Sequence, residues 1–182
     1  DVLKASAVSY FLKAGYSCFL ELGVTPWGTL RADMIGLNLR GRLVICEVKS
    51  CVRDHKTDKK WRNYLDYCNR MYFVFTEKTY EKLEETLKRD LKGTGAGVMV
   101  LNSQTGYLDC VKPAKIREID ADVTTSLITR MAWRGGVSKR TNRRTRHYIQ
   151  EAVSDAQEEE VAASREEKEE RKRPARSKRR TA

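Results

Sequence analysis

Residues 31–49 constrain this chain more than any other stretch. They read Arg-Ala-Asp-Met-Ile-Gly-Leu-Asn, then Leu-Arg-Gly, then Arg-Leu-Val-Ile-Cys-Glu-Val-Lys. Two apolar runs about a glycine-containing break predict a β-hairpin. A three-residue hairpin loop commonly ends on a left-handed glycine, a role that suits Gly41. Leu39 to Gly41 then form the loop, Asn38 pairs with Arg42, and Asp33 lies opposite Glu47. Directly opposed residues share a face, with Cβ atoms roughly 5 Å apart. Lys49 joins them because strand side chains alternate with period two. A two-residue loop would slip the register by one and send Asp33 to the other face.

Two carboxylates and an ammonium at one sheet edge suit phosphodiester hydrolysis. Mg²⁺ takes one or two carboxylates and keeps several waters. Such an ion activates water and offsets charge building on a phosphate. Asp33 and Glu47 are the expected metal ligands, and the Val48 carbonyl is a further oxygen donor. Lys49 would orient or deprotonate the attacking water, or stabilise the developing charge. Mn²⁺ is an alternative ion. Glu-x-Lys alone recurs by chance in solvated strands; an Asp on a preceding strand at hairpin spacing makes the pattern more specific.

Asp33 followed by Glu47-Val48-Lys49 resembles the D-(x)n-E-x-K pattern of the PD-(D/E)XK nuclease superfamily. Arg31-Ala32-Asp33, Glu47-Val48-Lys49, Lys60-Trp61 and Tyr64-Leu65-Asp66-Tyr67-Cys68 together resemble the MmcB group of DNA-repair endonucleases. The resemblance covers roughly residues 1 to 112, with Ala32 where the superfamily often has proline. It implies an α/β, restriction-endonuclease-like core in which a mixed central sheet is flanked by helices. It also implies divalent-metal dependence and DNA cleavage. In members with this layout an acidic residue upstream of the hairpin often joins the metal site, and Glu21 is the candidate.

The formal net charge is +11, which favours a polyanionic partner, nucleic acid before membrane. DNA is the expected partner, with RNA left open. Five cysteines without C-x-x-C spacing and only two histidines give little support to zinc or an iron–sulfur cluster. They favour a reduced, cytoplasmic compartment. No apolar stretch approaches membrane-spanning length and no secretory signal is visible. The chain opens on Asp1 and not on methionine, which predicts that residues precede it in the full protein.

In chain order, residues 2–14 predict an amphipathic helix stopped at Gly15, and Tyr16 to Leu22 a strand. Val24 to Leu30 reads as a loop in which Trp27 forms a lid over the core, in preference to an aromatic offered to substrate. After Lys49, one helix is expected to start between Asp54 and Asp58, with Asp58 as its cap, and to run to Cys68. Trp61, Leu65 and Cys68 would face the core, with Tyr64 and Tyr67 beside that stripe. Arg53, Lys56, Lys59, Lys60 and Arg62 would contact phosphate, Lys60 foremost. His55 reads as a surface residue of a basic loop and not as a catalytic group. Met71 to Thr76 predicts a strand parallel to the Glu47 strand, and Glu77 to Leu91 a helix capped by Thr76. The run Gly93 to Gly97 is a turn lacking the lysine of a phosphate loop. Val98 to Leu101 and Tyr107 to Val111 form a second hairpin, and Thr124 to Trp133 a short helix.

The nuclease-like domain is expected at 1–133, with a basic, mobile extension at 134–182 that binds a nucleic-acid or protein partner. The extension carries 15 Lys and Arg against 9 Asp and Glu, a net +6. Its few large apolar residues cannot offset ordering entropy. Lys139, Arg140, Arg143 and Arg144 would bind phosphate without sequence preference. The leading function is a Mg²⁺-dependent endodeoxyribonuclease acting in DNA repair, recombination or phage DNA processing. The alternatives are a non-catalytic nucleic-acid-binding protein on the same scaffold, and a Holliday-junction resolvase acting as a homodimer.

Overall fold

A computed structural model describes residues 2–25 and 27–135. Helix α1 (Val2–Lys13) leads into β1 (Tyr16–Gly23), β2 (Arg31–Asn38) and β3 (Leu43–Val48). A short α2 (Val52–Thr57) and a 3₁₀ helix (Trp61–Tyr67) follow, then β4 (Arg70–Thr76), α3 (Glu77–Asp90), β5 (Gly97–Leu101), β6 (Leu108–Lys112) and α4 (Ala121–Arg134). The strands form a single six-stranded sheet in sequential order. β1–β2, β2–β3 and β5–β6 are antiparallel, whereas β3–β4 and β4–β5 are parallel. The parallel pairs follow from the connections, since α2 with the 3₁₀ helix, and then α3, cross back over the sheet.

The two faces of the sheet are packed differently. Leu43 and Ile45 of β3 join Phe73, Trp61, Leu83 and Leu127 in one apolar cluster. Val44, Cys46 and Val48 join Leu3, Ala7 and Phe11 of α1 in the other. All six residues of β3 are buried. A central strand covered on both sides has this near-continuous apolar character. Gly97 lies where a Cβ would come within 2.6 Å of the Lys112 carbonyl oxygen and of the Tyr72 ring, so no side chain fits there.

The hairpin has the expected register. Ile35 pairs with Ile45 and Leu37 with Leu43, Asn38 N donates to Arg42 O, and Gly41 sits at φ +73°. Asn38 Oδ1 also accepts from the amides of Arg40 and Arg42 at 3.0 and 2.9 Å, which pins the loop.

Five expectations are corrected. The single helix over residues 54–68 is two short pieces: Asp58 adopts an extended backbone, and its Oδ1 accepts from Lys60 N and Trp61 N, starting the 3₁₀ helix afresh. Tyr64 is buried in the core and not beside it. Trp27 is no lid, being 90% exposed. His55 is buried with its ring edge-on to Phe73 and Phe75, because α2 turns it inward. α4 also begins earlier than expected, where Asp120 accepts from the amides of Asp122 and Val123.

All five cysteines are free thiols. Among the described residues no helix is long and apolar enough to cross a membrane. Lys139, Arg140, Arg143 and Arg144, and the extension from residue 136 onward, lie outside the described residues.

Candidate active site

The end of the β2–β3 pair is closed by side chains. Beyond the Met34–Cys46 pair, Asp33 Oδ2 accepts from the Val48 amide at 2.8 Å, and Glu47 Oε1 accepts from the Asp33 amide at 3.3 Å. Each carboxylate thus satisfies a main-chain donor on the opposite strand. This reciprocal clasp brings Asp33 and Glu47 together as the register requires. The Val48 N–H is spent on Asp33.

Lys49 follows on the same face. Its Nζ lies 2.6 Å from Asp58 Oδ2, 3.6 Å from Glu47 Oε2 and 4.0 Å from Asp54 Oδ1. Burial alone would lower its pKa; the Asp58 hydrogen bond and the surrounding carboxylate charges outweigh burial and hold it raised. Lys49 is therefore an ammonium and not a free base. Asp58 answers in kind: burial opposes ionisation, but Lys49 and the Lys60 and Trp61 amides keep its pKa below the usual value.

Glu47 is left short of compensation. Burial, and then repulsion by Asp33, push its pKa up to about 8. Lys49 divides its charge among three carboxylates and Lys4 pairs with Asp33 alone of the two, so the negative charge of the Asp33–Glu47 corner is only partly offset by the protein. Tyr64 borders the corner and donates to the Arg31 carbonyl at 2.6 Å. Burial and the Glu47 charge raise the pKa of its hydroxyl, which stays neutral.

Glu21 falls between the pairs Leu20–Met34 and Leu22–Ala32, opposite Asp33. It holds a left-handed backbone, φ +52°, a conformation that costs a non-glycine residue on the order of 1–3 kcal/mol. Arg134 secures it by donating to its carbonyl at 2.7 Å. The Glu21 carboxylate bonds Lys4 and lies 2.9 Å from Arg31 Nε. Lys4, from α1, also lies 3.1 Å from Asp33 Oδ1. The Lys4 hydrogen bond lowers the Glu21 pKa more than burial raises it.

A lowered carboxylate pKa contributes stability above the unfolded value of 4.5 and loses it as pH falls through the folded value. Replacing Lys4 with Met is expected to cost about 1 kcal/mol at pH 7, a fall of about 2–4 °C in Tm. Thermal melts should show the gap shrinking as pH falls below 4.5; a gap that stays constant from pH 7 through the acid range contradicts the assignment.

Among the described residues no group of three or more His, Cys, Asp or Glu is gathered closely enough to hold a metal ion. The donor set is two carboxylates, with the Val48 carbonyl as a further candidate. That set, with its partly offset charge, fits Mg²⁺, which fills its remaining positions with water. Arg53, Lys56, Lys59, Lys60 and Arg62 are all exposed. Arg62 lies over the Trp61 ring, 4.5 Å from its centroid, and donates to the Asp90 carbonyl at 3.3 Å. His55, Asp58, Arg62 and Asp90 border a cavity of about 260 Å³, which is linked to Lys49 through Asp58.

Sequence reasoning missed Lys4, Arg31, Asp54, Tyr64 and the ion-pairing role of Asp58. The one available signal for Lys4 was its place beside Leu3 at the border of the apolar stripe of α1.

The family described as DNA repair protein MmcB-like matches residues 2–134. No curated protein matches the chain. A protein of unknown function from Silicibacter pomeroyi has a similar structure, with a TM-score of 0.59 and 20% identity, covering 72% of this chain and 82% of that one. An XisH family protein from Nostoc punctiforme matches at a TM-score of 0.45 and 15% identity, covering 60% of this chain and 97% of that one.

Proposed function

The chain belongs to the MmcB-like DNA repair protein family, and from that premise we propose that it is a metal-dependent endodeoxyribonuclease of the PD-(D/E)XK type. The observation that carries the reading is the clasp in which the Asp33 carboxylate accepts from the Val48 amide and the Glu47 carboxylate from the Asp33 amide, beside a buried Lys49.

Asp33 and Glu47 hold a divalent cation, Mg²⁺ or Mn²⁺, with the Val48 carbonyl as a further ligand. When bound, such a cation lowers the pKa of water and neutralises charge on the scissile phosphate. Lys49, held protonated by Asp58 and Asp54, donates to the developing negative charge instead of removing a proton. Tyr64 and Asp58 position the strand end and the lysine. Glu21 acts through Lys4, and ligates the metal only where Lys4 has moved away. Arg53, Lys56, Lys59, Lys60 and Arg62 line the approach and hold the phosphate backbone. Lys139, Arg140, Arg143 and Arg144 add affinity without sequence preference.

A second reading, a non-catalytic DNA-binding protein on this scaffold, is favoured by one observation: Lys4 already neutralises part of Asp33 and Glu21. Incubating the protein with supercoiled plasmid, flap and four-way-junction DNA in Mg²⁺, Mn²⁺ or EDTA separates the two. The enzyme reading expects products with metal only, lost in Asp33→Ala and Lys49→Ala. Salt-sensitive binding without turnover under any metal establishes the second reading. Symmetric paired cuts at a junction by a dimer would narrow the enzyme to a resolvase.

A further inference from the structure

Trp27 is 90% exposed and Trp133 is 89% exposed, whereas the third tryptophan, Trp61, is buried at 2%. They are the most exposed aromatic rings among the described residues, ahead of Tyr107 at 61%. The two rings are carried by elements that are tied together. Arg130 of α4 donates to the carbonyls of Gly23 and Thr25, at the head of the loop that holds Trp27. Arg134 donates to the carbonyl of Glu21, directly opposite Asp33. At 3.6 residues per turn Trp133 lies about 60° round α4 from Arg130.

Among the described residues both guanidinium groups hydrogen-bond carbonyl oxygens and neither forms an ion pair with a carboxylate, although the Arg134 charge is felt by the Glu21 carboxylate. Arg31, at the start of β2, pairs with the Glu21 carboxylate at 2.9 Å yet stays two-thirds exposed. Exposed indole rings beside three arginines match the chemistry of an unpaired nucleic-acid strand: base faces stack on the rings and phosphates meet the cations. A duplex keeps its base faces stacked inside and offers these rings only edges.

We propose that Trp27 and Trp133 form a stacking platform for unpaired bases beside the Asp33–Glu47 corner, so that the substrate is DNA with a single-stranded segment adjoining the cut. The inference rests on the DNA-directed part of the function proposed above, and names the substrate class that the corner is offered.

The spectroscopy is favourable because the buried tryptophan is shielded. The full chain is titrated in EDTA, which prevents cleavage, with oligo-dT and with a blunt duplex of equal length at fixed salt. Oligo-dT is expected to quench the tryptophan emission. Trp27→Ala and Trp133→Ala are each expected to weaken oligo-dT binding about 5- to 100-fold, as loss of one base–aromatic stack implies. Duplex binding should change less than about twofold, since salt-dependent phosphate contacts are untouched. Trp27→Phe and Trp133→Phe should restore most of the loss. Both rings lie outside the core, so circular dichroism and Tm should match the parent.

No quenching, unchanged oligo-dT affinity in both alanine variants, or equal losses on duplex and single strand would each overturn the platform. So would a change in sedimentation in the alanine variants with DNA binding intact, which would mark an interface between proteins. Failure here leaves metal-dependent cleavage untouched. Absence of cleavage with every metal, alongside quenching by oligo-dT, would instead remove the enzyme reading and keep the platform.

Discussion

Glu47→Gln is expected to abolish cleavage and, at the same time, to make the metal-free protein more stable. Glutamine keeps the oxygen that accepts from the Asp33 amide but cannot carry the buried charge. The folded pKa of Glu47 is raised from 4.5 to about 8. A carboxyl with a raised pKa binds its proton more tightly in the folded state. Its stabilisation is therefore full below pH 4.5 and is lost as pH rises through about 8. The whole shift corresponds to about 5 kcal/mol. Relaxation of the site and entry of water reduce what the variant recovers to about 2–3 kcal/mol.

Melts across pH should show parent and variant coinciding near pH 4.5 and diverging to a plateau above about pH 8. Cleavage should fall on the order of 10³-fold or more, because the lost charge is what offsets the metal and the reacting phosphate. A surface Glu-Lys pair would give neither effect, since exposed substitutions stay within about 0.5 kcal/mol. A variant that is no more stable than the parent at pH 9 contradicts the description of this corner.

Lys49→Met is expected to act with the opposite sign on stability and the same sign on activity. The Lys49 side chain is 7% exposed and its partner Asp58 is 15% exposed. Removing the cation leaves Glu47 and Asp58 buried without their counter-charge. Breaking a buried pair from one side costs about 3–5 kcal/mol, a fall on the order of 10 °C for a domain of this size. The raised Lys49 pKa contributes stability below 10.5 that is lost as pH rises through the folded value. The lowered Asp58 pKa contributes stability above 3.8 that is lost as pH falls through its own folded value. The deficit of the variant should thus be widest between those limits.

Adding Asp58→Asn should recover about 1–2 kcal/mol, because the asparagine oxygen can still accept from Lys60 and Trp61 while the orphaned charge is gone. Denaturant melts of the single and double variants measure this directly. Equal stability of parent and Lys49→Met would mean that the lysine is solvated and its three contacts are incidental.

The hairpin was legible because local rules agreed. Period-two alternation, a glycine at the left-handed loop position and two apolar runs all specify one register, and Asn38 reinforces it. β4 and α3 were legible for the same reason: an unbroken apolar run and a stripe of Leu83, Leu87 and Leu91 behind a threonine cap. The rest depended on contacts distant in sequence. Nothing local says that Lys4 reaches Glu21 and Asp33, since the helix must first dock on the sheet. Asp58 looked like an ordinary cap; in place, its two oxygens serve the 3₁₀ helix and Lys49 separately, and that division breaks the helix that periodicity alone suggests. His55 looked like a loop residue because its burial depends on Phe73 and Phe75, on β4. The left-handed backbone at Glu21 has no sequence mark, as glutamate ordinarily avoids it.

The most direct measurement is a calorimetric titration of Mn²⁺ into the full chain and into Asp33→Ala and Glu47→Gln at pH 8. One ion should bind the parent, and binding should be lost or weakened at least about 100-fold in each variant. Parent-like binding by both variants would mean that the clasped carboxylates do not hold the metal.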